Sequence, residues 1–494
     1  MGTNAYARAA CLALLAGAGA LPARGGEVQH AAAGFHPRGE PFTVTSDPVA
    51  LHVGEVFNDL APPIKLPEHV RHRTAHGAIA VTAYKGDVVR FKDDNTTEST
   101  PLYDVYLHHY GAILGRYDDL MAFYEESRGR FNVATMPMSH VHSLFIEFSA
   151  NRTSRRVASV GGGSGAEERK TPHWYPRPFA QVADEVDAFM PLMHLINTKD
   201  VARSNAGYSP LLECPCTKAR RFDYNNHTID GAPPNIPFYC SPWMGDNPSC
   251  SFDTYIQGYR CCENGVFVIE GHETDLLQGK VSNVGMSFTF WIEDVTSETR
   301  RLRAPNGCCD VTGDLTHFGN IEHDVTPACR AGDDCTQKFV GWQYLDVPPK
   351  HGVGFANAGQ PKLTPEERQA IDAGREVEIV YAVGHQHVGG AGIKLVRDAT
   401  DELICESKPI YGKSDAVGDE RGYVVGMEPC VFGYDHGLPP PIRMRSDEVV
   451  RTESVYNTTY EHFGVMSLWL INVADVVPSS LSSDADDGDA HAAA

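Results

Sequence analysis

From residue 76 onward the chain is dominated by short apolar runs, each closed by Gly, Pro, Asn or Asp. Their β-branched and aromatic content predicts strands rather than helices. The pattern places strands over 78–91, 103–114, 143–148, 189–196 and 284–295, then over 377–387, 393–396, 403–406, 423–427, 449–456 and 465–473. Helical signals are few. One covers 117–126; another opens at Thr364-Pro365-Glu366-Glu367, an N-cap, a proline at N1 and a capping-box Glu, and stops at Gly374. Many short strands with Gly/Pro turns predict an all-β fold of two tandem jelly-roll β-sandwich domains.

The expected organisation follows from where this pattern stops. Arg8 and an apolar run from Ala9 to about Ala20 are too short to span a bilayer and predict a signal peptide over 1–20. Residues 21–75, rich in Pro, His and Gly, are expected to be an irregular N-terminal extension. The first sandwich is placed at 76–303, with a Cys-rich insertion at 206–265, and the second at 304–478. Residues 151–175, basic and Gly-rich, predict a mobile loop. The tail 479–494, rich in Ser, Asp and Ala, predicts disorder.

Composition narrows the function classes. Forty-two Lys and Arg against 64 Asp and Glu give a formal net charge of −22, which repels nucleic acid and anionic lipid. Neither nucleic-acid binding nor a membrane span is expected. Beyond Cys11 there remain 12 of the 13 cysteines, an even number that implies disulfides in an exported chain. A disulfide between Cys405 and Cys430 is expected because both flank strands of the second domain. A zinc ribbon from Cys214-x-Cys216 and the later pairs is the alternative, disfavoured by irregular spacing. Sequons at Asn95, Asn151, Asn226 and Asn457 fit a secreted glycoprotein.

Candidate chemistry lies in the histidines. His385 and His387 close the strand 377–387, and residues two apart on a strand share a face, so both rings can reach one metal. His108 and His109 are adjacent, so they can share a metal only if their strand ends or bulges. His194, in an apolar strand, needs a partner against its desolvation: a backbone carbonyl, or the metal of His108 and His109. Met466 reads as core packing by itself, but two imidazoles with a thioether favour copper. The bland alternatives are hydrogen-bonded strand histidines. His140-x-His142 competes for the third ligand of the first site, and His317 and His323 are expected at the surface of a Cys-rich turn. No serine-hydrolase elbow, phosphate loop or zincin motif is present.

The segments Val383-Gly384-His385-Gln386-His387-Val388-Gly389-Gly390, Gly422–Met427 followed by Cys430, Gly464-Val465-Met466, Tyr106-Leu107-His108-His109, Gly161–Gly165, Arg260-Cys261-Cys262 and Glu322–Val325 resemble the stress up-regulated nodulin family over about 76–476. That family carries no settled activity. In chain order, the His-His pair, the later strand His, the His-x-His and the final Met are also similar to the copper type II, ascorbate-dependent monooxygenases. This more distant resemblance implies two copper ions, one in each domain beside a solvent cleft. His108, His109 and His194 would hold the electron-storing ion. His385, His387 and Met466 would hold the ion that activates dioxygen for hydroxylation, with ascorbate or a similar reductant. Val383, Leu468 and Leu470 depart from the peptidylglycine enzymes' substrate-site residues, which points to a small neutral or apolar substrate. An extracellular metal-binding or structural glycoprotein without catalysis is the alternative.

Overall fold

The computed structural model describes residues 34–51, 56–74, 77–130, 157–161, 164–199, 281–305, 309–311, 323–325, 335–346, 375–435, 437–459 and 462–476. The expected signal peptide, strand 143–148, Cys-rich insertion, helix at 364, acidic tail, His140, His142 and His317 lie outside the described residues. Among the described residues no helix is long and apolar enough to cross a membrane.

Wherever the apolar runs fall on described residues they form strands, and the fold is all-β. The long ones are Ala78–Phe91, Val105–Gly115, Ala188–Asn197, Ser282–Asp294, Glu376–Gln386 and Val449–Asn457. The run expected at 465–473 is broken at Met466, between His462–Val465 and Ser467–Asp475. The helix Tyr117–Arg130 is present.

A twelve-stranded sheet runs through both halves of the chain. Its first part pairs Glu40–Thr45, Ser282–Asp294, Ala78–Phe91 and Phe179–Asp184, and a first core lies between this part and the sheet of Val56–Leu60, Ala188–Asn197, Val105–Gly115 and Ala158–Gly161. Phe42, Val88, Phe189, Phe288 and Phe290 fill it. Arg300–Arg303 then pairs parallel with Phe179–Asp184 and antiparallel with Ser467–Asp475, which carries the sheet past residue 303. Beyond that strand a second core, with Ile379, Ile393, Leu395, Trp469 and Val473, lies against the sheet of Thr336–Tyr344, Val449–Asn457, Gly390–Arg397 and Glu402–Ser407. The disulfide between Cys405 and Cys430 closes across this core.

Two expectations are corrected. From residue 40 the N-terminal segment is not irregular: Glu40–Thr45, Val49–Leu51, Val56–Leu60 and Ile64–Lys65 are strands and Glu68–Thr74 is a helix. Prolines cut these strands too short for a period to show, and Pro41 is tolerated because its strand lies at a sheet edge. The described part of the expected loop at 151–175 is packed: Ala158–Gly161 is a strand, and the 3₁₀ turn Ala166–Arg169 buries Ala166, Glu167 and Glu168. Its glycines serve close approach. A Cβ on Gly165 would stand 2.1 Å from the carbonyl oxygen of His108.

Candidate metal centre

The double histidine lies on a β-bulge. Along the pairing of Val105–Gly115 with Ala188–Asn197, His194 faces His109 but Leu195 faces Leu107, so His108 is an extra residue. Residues three apart on a regular strand point to opposite faces. Leu107 and Tyr110 nevertheless both enter the first core, because the bulge resets the parity. His194 lies on the opposite face, that of Met190 and Leu192, which pack with Ile113 in a separate cluster.

The His-x-His strand presents its rings away from the second core. A Cβ on Gly384 would come within 2.1 Å of Ile393 Cγ2, so that position faces inward and tolerates only glycine. His385, the next residue, faces the other way. There Nδ1 lies 2.6 Å from Glu167 Oε1, and Glu167 Oε2 accepts a 3.0 Å bond from the Gly165 N–H.

These faces meet, and the five expected histidine ligands form one cluster. Ring centroids are 4.3 Å apart for His108 and His109, 4.4 Å for His108 and His194, and 5.0 Å for His385 and His387. Across the two sets, His108 lies 5.1 Å from His387 and His109 5.4 Å from His385. Ligand atoms of His108, His109 and His387 all lie within 4.8 Å of one another, and His108 Nδ1 is 3.2 Å from His194 Nδ1. One site in each domain beside a solvent cleft is expected; in the structure the histidines of both expected sites lie together. His108, His109, His194 and His385 are all buried, because the two histidine-bearing faces pack against each other.

Met466 is buried at the junction of its two strands. Its backbone is tied to that of His387 by one hydroxyl: Tyr456 OH accepts from the His387 N–H at 3.0 Å and donates to the Met466 carbonyl.

Electrostatics keeps His387 uncharged. Burial holds the His387 imidazole well below its ordinary pKa, and His385, His108, His323 and His194 add to the effect. A neutral imidazole offers a lone pair, the form that binds metal. Among the described residues the Nε2 atoms of His385 and His387 are buried without a hydrogen-bond partner, an expensive arrangement unless something accepts those lone pairs. Imidazole-rich donor sets suit copper, zinc, nickel and iron. A small cavity lined by Tyr106, Glu167, His385, His387 and Tyr423 reaches the cluster.

Three residues of the centre escape sequence reasoning. Glu167 follows a glycine run and reads as solvated. His323 is buried rather than exposed, on the strand His323–Val325, with Nε2 3.2 Å from Ser467 Oγ. Tyr456 looks like any strand aromatic. The neighbouring Glu168 holds a second histidine: His173 Nε2 lies 2.8 Å from its carboxylate, and His173 Nδ1 is 3.0 Å from the hydroxyls of both Tyr84 and Tyr381.

No curated protein matches the chain. Residues 352–476, the segment that carries His385, His387 and Met466, match the family model described as Stress up-regulated Nod 19, and over that segment the chain is similar to the stress up-regulated nodulin family.

Proposed function

We propose that this chain is an exported copper-binding protein that hydroxylates a small neutral or apolar molecule using ascorbate or a similar reductant. One observation carries the metal reading: imidazoles from three strands converge in a buried cluster in which two Nε2 atoms lack any hydrogen-bond partner among the described residues. The redox reading rests on the resemblance in ligand order to the copper monooxygenases and on the soft sulfur of Met466.

His108, His109 and His387 would hold the ion, with His194, His385 and Met466 beside it. The closeness of the rings favours one shared ion over two distant ones. Copper, when bound, would supply one-electron chemistry with dioxygen. The chain's own part is to keep His387 neutral, fix the rings and exclude bulk water. The expected domains 76–303 and 304–478 would contribute His108, His109 and His194 on one side and His385, His387 and Met466 on the other.

Reductant-dependent oxygen consumption by the copper-loaded protein tests the reading. Met466→Ile, close in volume, should keep the fold and abolish turnover. Normal turnover by that variant would remove Met466 from the site. Copper uptake without oxygen consumption would favour a metal-binding glycoprotein instead, a reading supported by the burial of the cluster.

A further inference from the structure

We infer that Glu167 is the positioning residue that fixes His385 with its Nε2 lone pair available to an ion held by His108, His109 and His387. This rests on the metal-centre reading above and adds to it a residue outside the ligand set.

An ionised carboxylate only accepts hydrogen bonds. With Glu167 Oε1 2.6 Å from His385 Nδ1, the proton of a neutral imidazole belongs on Nδ1, and the Nε2 lone pair is left for the ion. The carboxylate is itself held in place. Oε2 takes the Gly165 N–H, the Glu167 carbonyl takes the Thr171 hydroxyl at 2.7 Å, and the turn presses on the His108 carbonyl where only glycine fits.

The adjacent Glu168 supplies the contrast. Its histidine, His173, has the Glu168 carboxylate 2.8 Å from Nε2 and two tyrosine hydroxyls 3.0 Å from Nδ1. His385 has a carboxylate on Nδ1 and, among the described residues, no hydrogen-bond partner on Nε2.

Cobalt(II), whose visible spectrum reports coordination number, is the probe. Wild type, Glu167→Gln, His385→Ala and the double variant are titrated with it. Glu167→Gln should weaken binding about ten- to a hundredfold. The double variant should bind no more weakly than His385→Ala alone, since Glu167 acts only through that ring. Independent losses that multiply in the double variant would overturn the assignment, as would unchanged affinity in Glu167→Gln. Failure of the wild type to take up cobalt would instead overturn the metal centre itself. Should Glu167→Gln not fold, nitrogen NMR of the metal-free wild type decides: His385 protonated on Nδ1 supports the inference, and protonation on Nε2 overturns it.

Discussion

Tyr456 joins two backbone groups through one buried hydroxyl, the His387 N–H and the Met466 carbonyl. Tyr456→Phe leaves both groups without that partner and should lower stability by about 1–3 kcal/mol, read by denaturant unfolding. His387 sets a pH dependence. Its folded pKa lies well below that of the unfolded chain, so the unfolded chain takes the proton first as pH falls. Stability of the metal-free protein should be full above the unfolded value of about 6.5 and decline below it. The slope is up to ~1.4 kcal/mol per pH unit for this one group, until the folded value is reached. Denaturation of metal-free wild type and His387→Gln at pH 7.5 and 5.5 checks it; an equal acid loss in both would place the dependence elsewhere.

At the level of single elements, the bulge at His108 costs a ladder position that the core does not need. Deleting His108 puts Leu107 and Tyr110 two apart, in register for the same core face. The deletion variant should therefore keep one cooperative unfolding transition while losing the metal. Collapse of the fold would mean that the bulge serves packing. Gly384→Ala tests the opposite strand: a methyl forced against Ile393 should cost about 1–3 kcal/mol. Much of this was legible in the chain. The His-x-His strand showed its period, and the adjacent histidines stated their own condition, a bulge, which the register contains. Glu167 was not legible, since a glycine run before two acids looks solvated until Gly165 is seen against the His108 carbonyl. Nor was His323, because its burial depends on pairing with His462–Val465, more than a hundred residues later.

For the whole molecule, the sequence order of ligands suggested two sites because it says nothing about which faces meet. Whether two histidine-bearing strands look at separate clefts or at each other is decided by long-range packing, here by a sheet that continues past residue 303. Ligands drawn from both sides of that point would make the ion a cross-link. A ligand that binds only the folded state stabilises by about 2.7 kcal/mol at a hundredfold excess over its Kd. Copper should accordingly raise the melting temperature in proportion to the logarithm of its concentration, and a chelator should reverse the shift. A melting temperature indifferent to copper would be inconsistent with ligands on both sides.

Copper content per chain, measured by elemental analysis on wild type, His108→Ala and His387→Ala, distinguishes one shared metal centre from two separate ones. A single shared cluster predicts about one ion in the wild type, on the count of three to four imidazoles per ion, and the same ion lost in either variant. No copper in reconstituted wild type, or two ions of which each variant loses only its own, would contradict it.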